Sequence, residues 1–213
     1  MARPDVRWFL SKLPLAVILL SGAFLRFYAL GARALWWDEI LVPLSARHNI
    51  KYIFDLCSFS ETHPPLFYLI THLILYFSHN DVILRIFSAS CGVITLYLVY
   101  HVTREFIDER TALLASALQS VNIFHILLSR EIRPYSLQTL LFVISFWFIA
   151  RLIKYGRWRD FSILCCSNLF LFWIHYFAYY LVAAQGIVLT IVYSANHIDL
   201  HTNNSLHFVA LLC

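Results

Sequence analysis

Between Asp160 and Asp199 the chain contains no Asp, Glu, Lys or Arg, and Thr111–Leu128 and Tyr135–Ala150 are equally free of them. Apolar runs of this length suit a solvent of hydrocarbon, in which about 20 residues of helix cross the membrane. Composition supports that solvent: 61% of the 213 residues are hydrophobic and 13% are charged, with a mean hydropathy of +0.71. A water-soluble domain sits near ~45–50% apolar and ~25% charged, and 17% aromatic residues with so few charges exclude a disordered chain. The expected fold is all-α, a polytopic bundle of transmembrane helices forming a single domain over 1–213. The last run, Leu206–Cys213, reads as the start of a further helix, so the chain is expected to be the N-terminal part of a longer protein.

The net charge of +4 is small and forms no basic run of the kind nucleic acids require. Five cysteines, Cys57, Cys91, Cys165, Cys166 and Cys213, contain no CxxC pair and read as small buried hydrophobes. The first span is Leu13–Leu30. Arg3, Arg7 and Lys12 precede it and place the N-terminus in the cytoplasm; Ala32-Arg33-Ala34 fits a cleavage site, but the apolar run is long for a signal peptide. Arg26, Arg85 and Arg151 lie near span ends and are expected to snorkel.

Residues 31–63 do not cross. Within them Trp37, Ile40, Leu41 and Leu44 follow helical spacing, predicting an amphipathic helix in the membrane interface. Pro65 to Ser78 is only 14 residues, about 21 Å as a helix against a ~30 Å hydrocarbon core, so it too lies beside the membrane. If it did cross, the loops Thr103–Arg110 and Lys154–Arg159 would both move outside, against the preference of basic loops for the cytoplasm. The remaining spans are then Val82–Thr103, Thr111–Leu128, Tyr135–Ile153, Phe161–His175 and Phe177–Tyr193, six in all with the first. Arg104, Glu105, Asp108, Glu109 and Arg110 make a solvated inner turn.

Three polar islands thereby share the outer face: Trp36–Glu39, Glu61–Pro65 and Ser129–Tyr135. Asp38 and Glu39, about 100° apart on a helix, can serve as base and cation ligand, or simply favour the helix N-terminus as acids. Arg130 and Arg133, placed outside against the usual bias, suit a phosphate group, or else a lipid headgroup or an ion pair with Glu131. His63, held extended by Pro64, can donate to a phosphate or cap a helix. His175-Tyr176 can line the same cavity or belong to an interfacial belt.

The order Trp36-Trp37-Asp38-Glu39, Thr62-His63-Pro64-Pro65-Leu66 and Ser129-Arg130-Glu131-Ile132-Arg133-Pro134-Tyr135-Ser136-Leu137 resembles the N-terminal half of GT-C fold glycosyltransferases of the protein O-mannosyltransferase and aminoarabinose-transferase type, over most of residues 10–195. The resemblance implies a first outer loop with juxtamembrane helices, Asp38 as its catalytic acid with Glu39 beside it, and His63-Pro64-Pro65 opening the second juxtamembrane helix. It further implies a phosphate-binding set of Arg133, Arg130, His63, Glu131 and Tyr135. Some relatives carry Asp five residues after the arginine; Gln138 stands there, and Glu131 is the alternative second acid. The implied reaction moves a sugar from a polyprenyl-phosphate donor to an acceptor hydroxyl on the non-cytoplasmic face of the membrane (the inner membrane in a bacterium). Asp38 acts as base and the cations meet the leaving phosphate. A divalent metal at Asp38 or Glu39 is compatible with this chemistry, although no ligand cluster demands one. A transporter or flippase, or an inactive fragment, are the competing readings; a transporter predicts ionisable pairs at mid-membrane.

Overall fold

The computed structural model describes residues 6–59, 63–78 and 80–202, with side chains over 13–59, 63–78 and 80–195. Glu61, Thr62 and the run Leu206–Cys213 lie outside the described residues, as do Arg3 and the side chains of Arg7 and Lys12. The described chain is entirely helical: α1 (Val6–Phe27), α2 (Trp37–Ala46), α3 (Ile50–Phe59), α4 (Leu66–Phe77), α5 (Asp81–Phe106), α6 (Glu109–Ser120), α7 (Ile123–Ser129), α8 (Tyr135–Tyr155), α9 (Trp158–Phe172) and α10 (Ala178–Thr202).

Short polar side chains start several of these helices. Asn80 accepts from Val82 N at 2.9 Å ahead of α5, and Asp108 accepts from Arg110 N and Thr111 N at 2.7 and 2.9 Å ahead of α6, satisfying amides that have no partner in the first turn. Gly156, in the left-handed region at φ 61°, ends α8 and admits the reversal into α9. α5 is the central helix, packed on α1, α6, α7 and α8; α9 packs on α8, and α10 on α9 and α8. Across the last three helices Ser145 donates to Asn168 Oδ1 (2.6 Å), Asn168 to Gln185 Oε1 (2.8 Å) and Gln185 to Ser145 Oγ (2.7 Å). This closed ring leaves its polar atoms partnered within apolar helices.

The spans differ from the expected six. Among the described residues three helices, α5, α8 and Ala178–Ala195 of α10, are long and apolar enough to cross a membrane, or four if the bent pair α6 and α7 is one span. The expected span Thr111–Leu128 is broken into α6 and α7 by a 61° bend. At the break Asn122 accepts from His125 N at 3.1 Å and starts a new helix in place of continuing the old one. The apolar part of α1 and the 15-residue α9 are shorter. α4, at 12 residues, is about 18 Å long, too short to cross, as expected.

Arg26 and Arg85 do not snorkel; both are buried. Arg26 donates to the carbonyls of Gly22, Ser120 and Gln119 at 2.9, 3.2 and 3.3 Å and to His125 Nδ1 at 2.7 Å. A guanidinium with five donors is the side chain best suited to the end-of-helix carbonyls at a break. Arg151 does not reach solvent alone either: it bridges Glu105 (2.7 Å) and Asp160 (3.0 Å), with Trp147 donating to Glu105. The turn 103–110 is therefore partly built into the bundle. Cys57 and Cys91 are buried as expected, whereas Cys165 and Cys166 are exposed on α9.

Most of the expected apolar stripe of α2 faces away from the bundle, the side on which a helix lying in the membrane interface carries its apolar residues. Trp37, Ile40 and Leu44 are exposed, while Glu39, Val42, Pro43, Ser45 and Ala46 face the protein. Both faces of α2 thus carry apolar residues, one set against the bundle and the other exposed. Val42 and Ala46 of α2, Ile53 and Cys57 of α3, Phe67, Tyr68 and Leu75 of α4, Leu84 of α5 and Ile132 form one buried cluster. That cluster fixes the juxtamembrane helices against the turn 129–135.

Candidate active site at one end of the bundle

The chain leaves α1 through Ala29, a non-glycine residue at φ 52°, and the segment that follows turns three carbonyls toward the start of α5. Arg85 takes all three: Leu30 O and Arg33 O at 2.7 Å each and Ala34 O at 3.4 Å. Its remaining donors meet Glu39, Nε at 3.2 Å and Nη2 at 2.8 Å. Glu39 is fully buried and also accepts from Ile132 N at 3.0 Å. Three chain segments are thus tied at one carboxylate, a geometry in which a buried charge is tolerated because both oxygens have donors and a cation stands beside them.

The two adjacent acids expected to act in the site are thus placed differently. Glu39 points inward and is engaged on both oxygens. Asp38, one position earlier, has a side chain 42% exposed and lies 3.9 Å from Arg133 Nη2. Of the two, Asp38 is the carboxylate open to a hydroxyl or a cation. Among the described residues no group of three or more His, Cys, Asp or Glu suits a metal ion.

Arg133 follows Ile132, so the anchor on Glu39 sets its position. Its Nη1 donates to Asp38 O at 3.3 Å and its Nη2 to Tyr135 Oη at 3.2 Å, with the guanidinium 5.5 Å from the Tyr135 ring centre. Its Nε–H is buried with no hydrogen-bond partner among the described residues. His63 lies with its ring centre 6.1 Å from Tyr135 and 5.0 Å from His175. The backbone continues this convergence, since Leu66 N donates to Trp173 O at 3.0 Å, joining the start of α4 to the end of α9.

Two other expected members stand apart. Arg130 donates to Leu25 O (3.0 Å) and Tyr28 O (2.8 Å), closing the C-terminal carbonyls of α1. Glu131 faces Arg33 at 3.7 Å. Burial, and after it the charge of Glu39, hold its carboxyl above the usual range, with Arg33 and Arg133 opposing. Arg85 was missed as a partner of the site. Part of its signal was present: an arginine one turn inside an apolar run needs an acid, though nothing local says which one supplies it. His175, offered by the sequence as lining the same cavity, is held below the ordinary histidine range by burial and then by the charge of Arg133.

An all-helical bundle with helices apolar enough to span a membrane, short helices packed at one end and an acid facing a guanidinium there defines an integral membrane protein with a polar site at that end. A family profile described as dolichyl-phosphate-mannose-protein mannosyltransferase matches residues 62–213, and the chain belongs to that family, membrane glycosyltransferases of the mannosyltransferase type that use a lipid-linked sugar. The matched stretch contains His63, Arg133, Tyr135 and His175 and begins after Asp38. No match was found among curated proteins or among solved structures.

Proposed function

We propose that the chain transfers a sugar from a polyprenyl-phosphate donor to an acceptor hydroxyl, at the bundle end that carries Asp38 and Arg133 and on the non-cytoplasmic side of the membrane. One observation carries this reading: Asp38 and Arg133, distant in sequence, stand 3.9 Å apart with Asp38 half-exposed. The reaction needs both groups. An acceptor oxygen attacking the anomeric carbon must lose its proton, and Asp38 is the open carboxylate that takes it. The bond to the phosphate oxygen breaks as the new one forms, and the departing phosphate gains charge, which Arg133 meets with a buried Nε–H and a fork of Nη donors.

In this scheme Glu39 is a positioning residue that fixes Ile132 and hence Arg133, and Arg130 belongs to the closure of α1. The basic loop 154–159 at the opposite end of the bundle supports placing the site away from the cytoplasm. The test is transfer from a polyprenyl-phosphate sugar in a reconstituted membrane. Asp38→Asn is expected to abolish transfer with unchanged abundance and melting temperature, and Arg133→Ala to raise the apparent KM for donor. Full transfer by Asp38→Asn overturns the assignment of the base.

A further inference from the structure

α8 begins at Tyr135, beside Arg133, and its 21 residues rise about 31 Å, close to the ~30 Å of a hydrocarbon core. Its two ends are therefore spaced as the two membrane interfaces are, and the turn into α9 belongs to the interface remote from Asp38. Exposed aromatic side chains mark that depth: Trp158 at 75%, Tyr155 at 39% and Phe161 at 38%. The six residues Lys154-Tyr155-Gly156-Arg157-Trp158-Arg159 are all exposed and hold three cations and no acid. The acids at this end are engaged elsewhere. Glu105 and Asp160 bracket Arg151, Glu109 faces Arg104, and Asp108 caps α6. Lys154, Arg157 and Arg159 form no ion pair among the described residues; Lys154 Nζ and Arg157 Cζ instead lie 5.3 and 5.0 Å from the centre of the Tyr155 ring.

Arg157 lines a hollow of about 310 Å³ together with Leu152, Gly156, Trp158 and Phe161. Gly156 has no heavy atom within 4 Å of the place a Cβ would take, so the chain reversal leaves the hollow open. α9 starts at Arg157 without a side-chain cap, and its first-turn amides add positive partial charge beside the guanidinium. We propose that this turn is a binding site for an acidic phospholipid of the adjoining leaflet. The lipid phosphate lies on Arg157, and the glycerol and upper acyl chains cover Leu152, Trp158 and Phe161.

Each part of the hollow narrows the ligand. A planar guanidinium without a carboxylate partner suits the oxygens of a phosphate. The apolar side chains around it require an amphiphile, since a free phosphate would leave them uncovered. Lys154 and Arg159 decide between headgroups: a zwitterionic lipid brings its own cation into the field of three others, whereas an acidic lipid brings none. Basic pockets beside membrane helices select acidic headgroups in this way. The assignment is independent of the sugar-transfer reaction and of which leaflet faces the cytoplasm.

The experiment uses the full chain in a neutral detergent, with phosphatidylglycerol, phosphatidylcholine and inorganic phosphate as probes and native mass spectrometry as the readout of bound lipid. The unmutated chain is expected to retain phosphatidylglycerol in preference to phosphatidylcholine. Arg157→Gln should cut that preference about fivefold, the share of one cation at a membrane surface, and the triple variant with Lys154→Gln and Arg159→Gln should abolish it. Arg47→Gln, an equal loss of charge at a 52% exposed side chain of α2, should leave it within about twofold. Equal retention of the two lipids by the unmutated chain overturns the proposal, as does a preference that survives in the triple variant or falls equally in Arg47→Gln. Displacement of phosphatidylglycerol by millimolar inorganic phosphate assigns the hollow to a soluble anion and overturns the lipid. A further measurement needs no variant: phosphatidylglycerol, and not phosphatidylcholine, should slow amide hydrogen exchange over residues 154–161, and equal exchange in the two lipids refutes the site.

Discussion

Glu39→Ala is expected to unfold the juxtamembrane end of the protein far more readily than Asp38→Ala, although the two residues adjoin. Glu39 is fully buried and receives Arg85 Nε at 3.2 Å, Arg85 Nη2 at 2.8 Å and Ile132 N at 3.0 Å. Removing one partner of such a pair strands the other, at about 3–5 kcal/mol. Arg85 keeps two carbonyls at 2.7 Å, which lowers the cost, while the stranded amide of Ile132 adds about 1 kcal/mol or more. A loss of about 4 kcal/mol is expected, a large share of a typical total of ~5–15 kcal/mol. Glu39→Gln retains an acceptor and should cost about half as much. The double variant Glu39→Ala with Arg85→Ala should cost less than the sum by roughly 1–3 kcal/mol, because the pair acts as one unit. Asp38, 42% exposed and 3.9 Å from its cation, is worth about 0–1 kcal/mol. Denaturant titration of these variants and of Arg85→Ala alone in mixed micelles, followed by tryptophan fluorescence, gives all five values. If Glu39→Ala costs under about 1 kcal/mol, or no more than Asp38→Ala, the tie is not holding the loop and the argument for Glu39 as a positioning residue fails.

Arg133→Gln should raise the titration midpoint of His175. Burial and then the Arg133 charge hold it below the usual ~6.5, so the folded chain binds fewer protons there than the unfolded one. Stability from this group is present above that value and lost as pH falls; removing the cation shrinks the acid-side loss, read by the His175 resonance and by melting between about pH 5 and 7. Gly92→Ala should destabilise by about 1–3 kcal/mol through overpacking. A methyl there overlaps the Ser129 hydroxyl and comes within 2.8 Å of Ser129 Cβ and 3.1 Å of Arg26 Nε. Its melting temperature falling by less than a degree would show that α7 moves freely against α5.

The helical class, the short α4 and the gathering of the three polar islands were legible because each depends on a local property. Run length against bilayer thickness decides which helices cross, and proline before an apolar segment marks its start. The division of α6 from α7 had a local cause as well, the capping capacity of Asn122, but a continuous apolar run conceals it. The period of Trp37, Ile40 and Leu44 locates the exposed stripe of α2, whereas the burial of Glu39, Val42 and Ala46 on its other face is not written in that period.

By itself the amino-acid order determined an apolar helical bundle with Asp38, His63 and Arg133 at chain joints, because hydrophobicity and joint position are properties of short segments. Only the tertiary structure decided which of two neighbouring acids is open and which is engaged. Glu39 is spent on Arg85, 46 positions away, and Arg130 on the carbonyls of α1, whereas Asp38 and Arg133 keep donors and acceptors to spare. The physical reason is that burial of an ion demands a partner, and that partner is supplied by whichever helix packs against it, which no local pattern records.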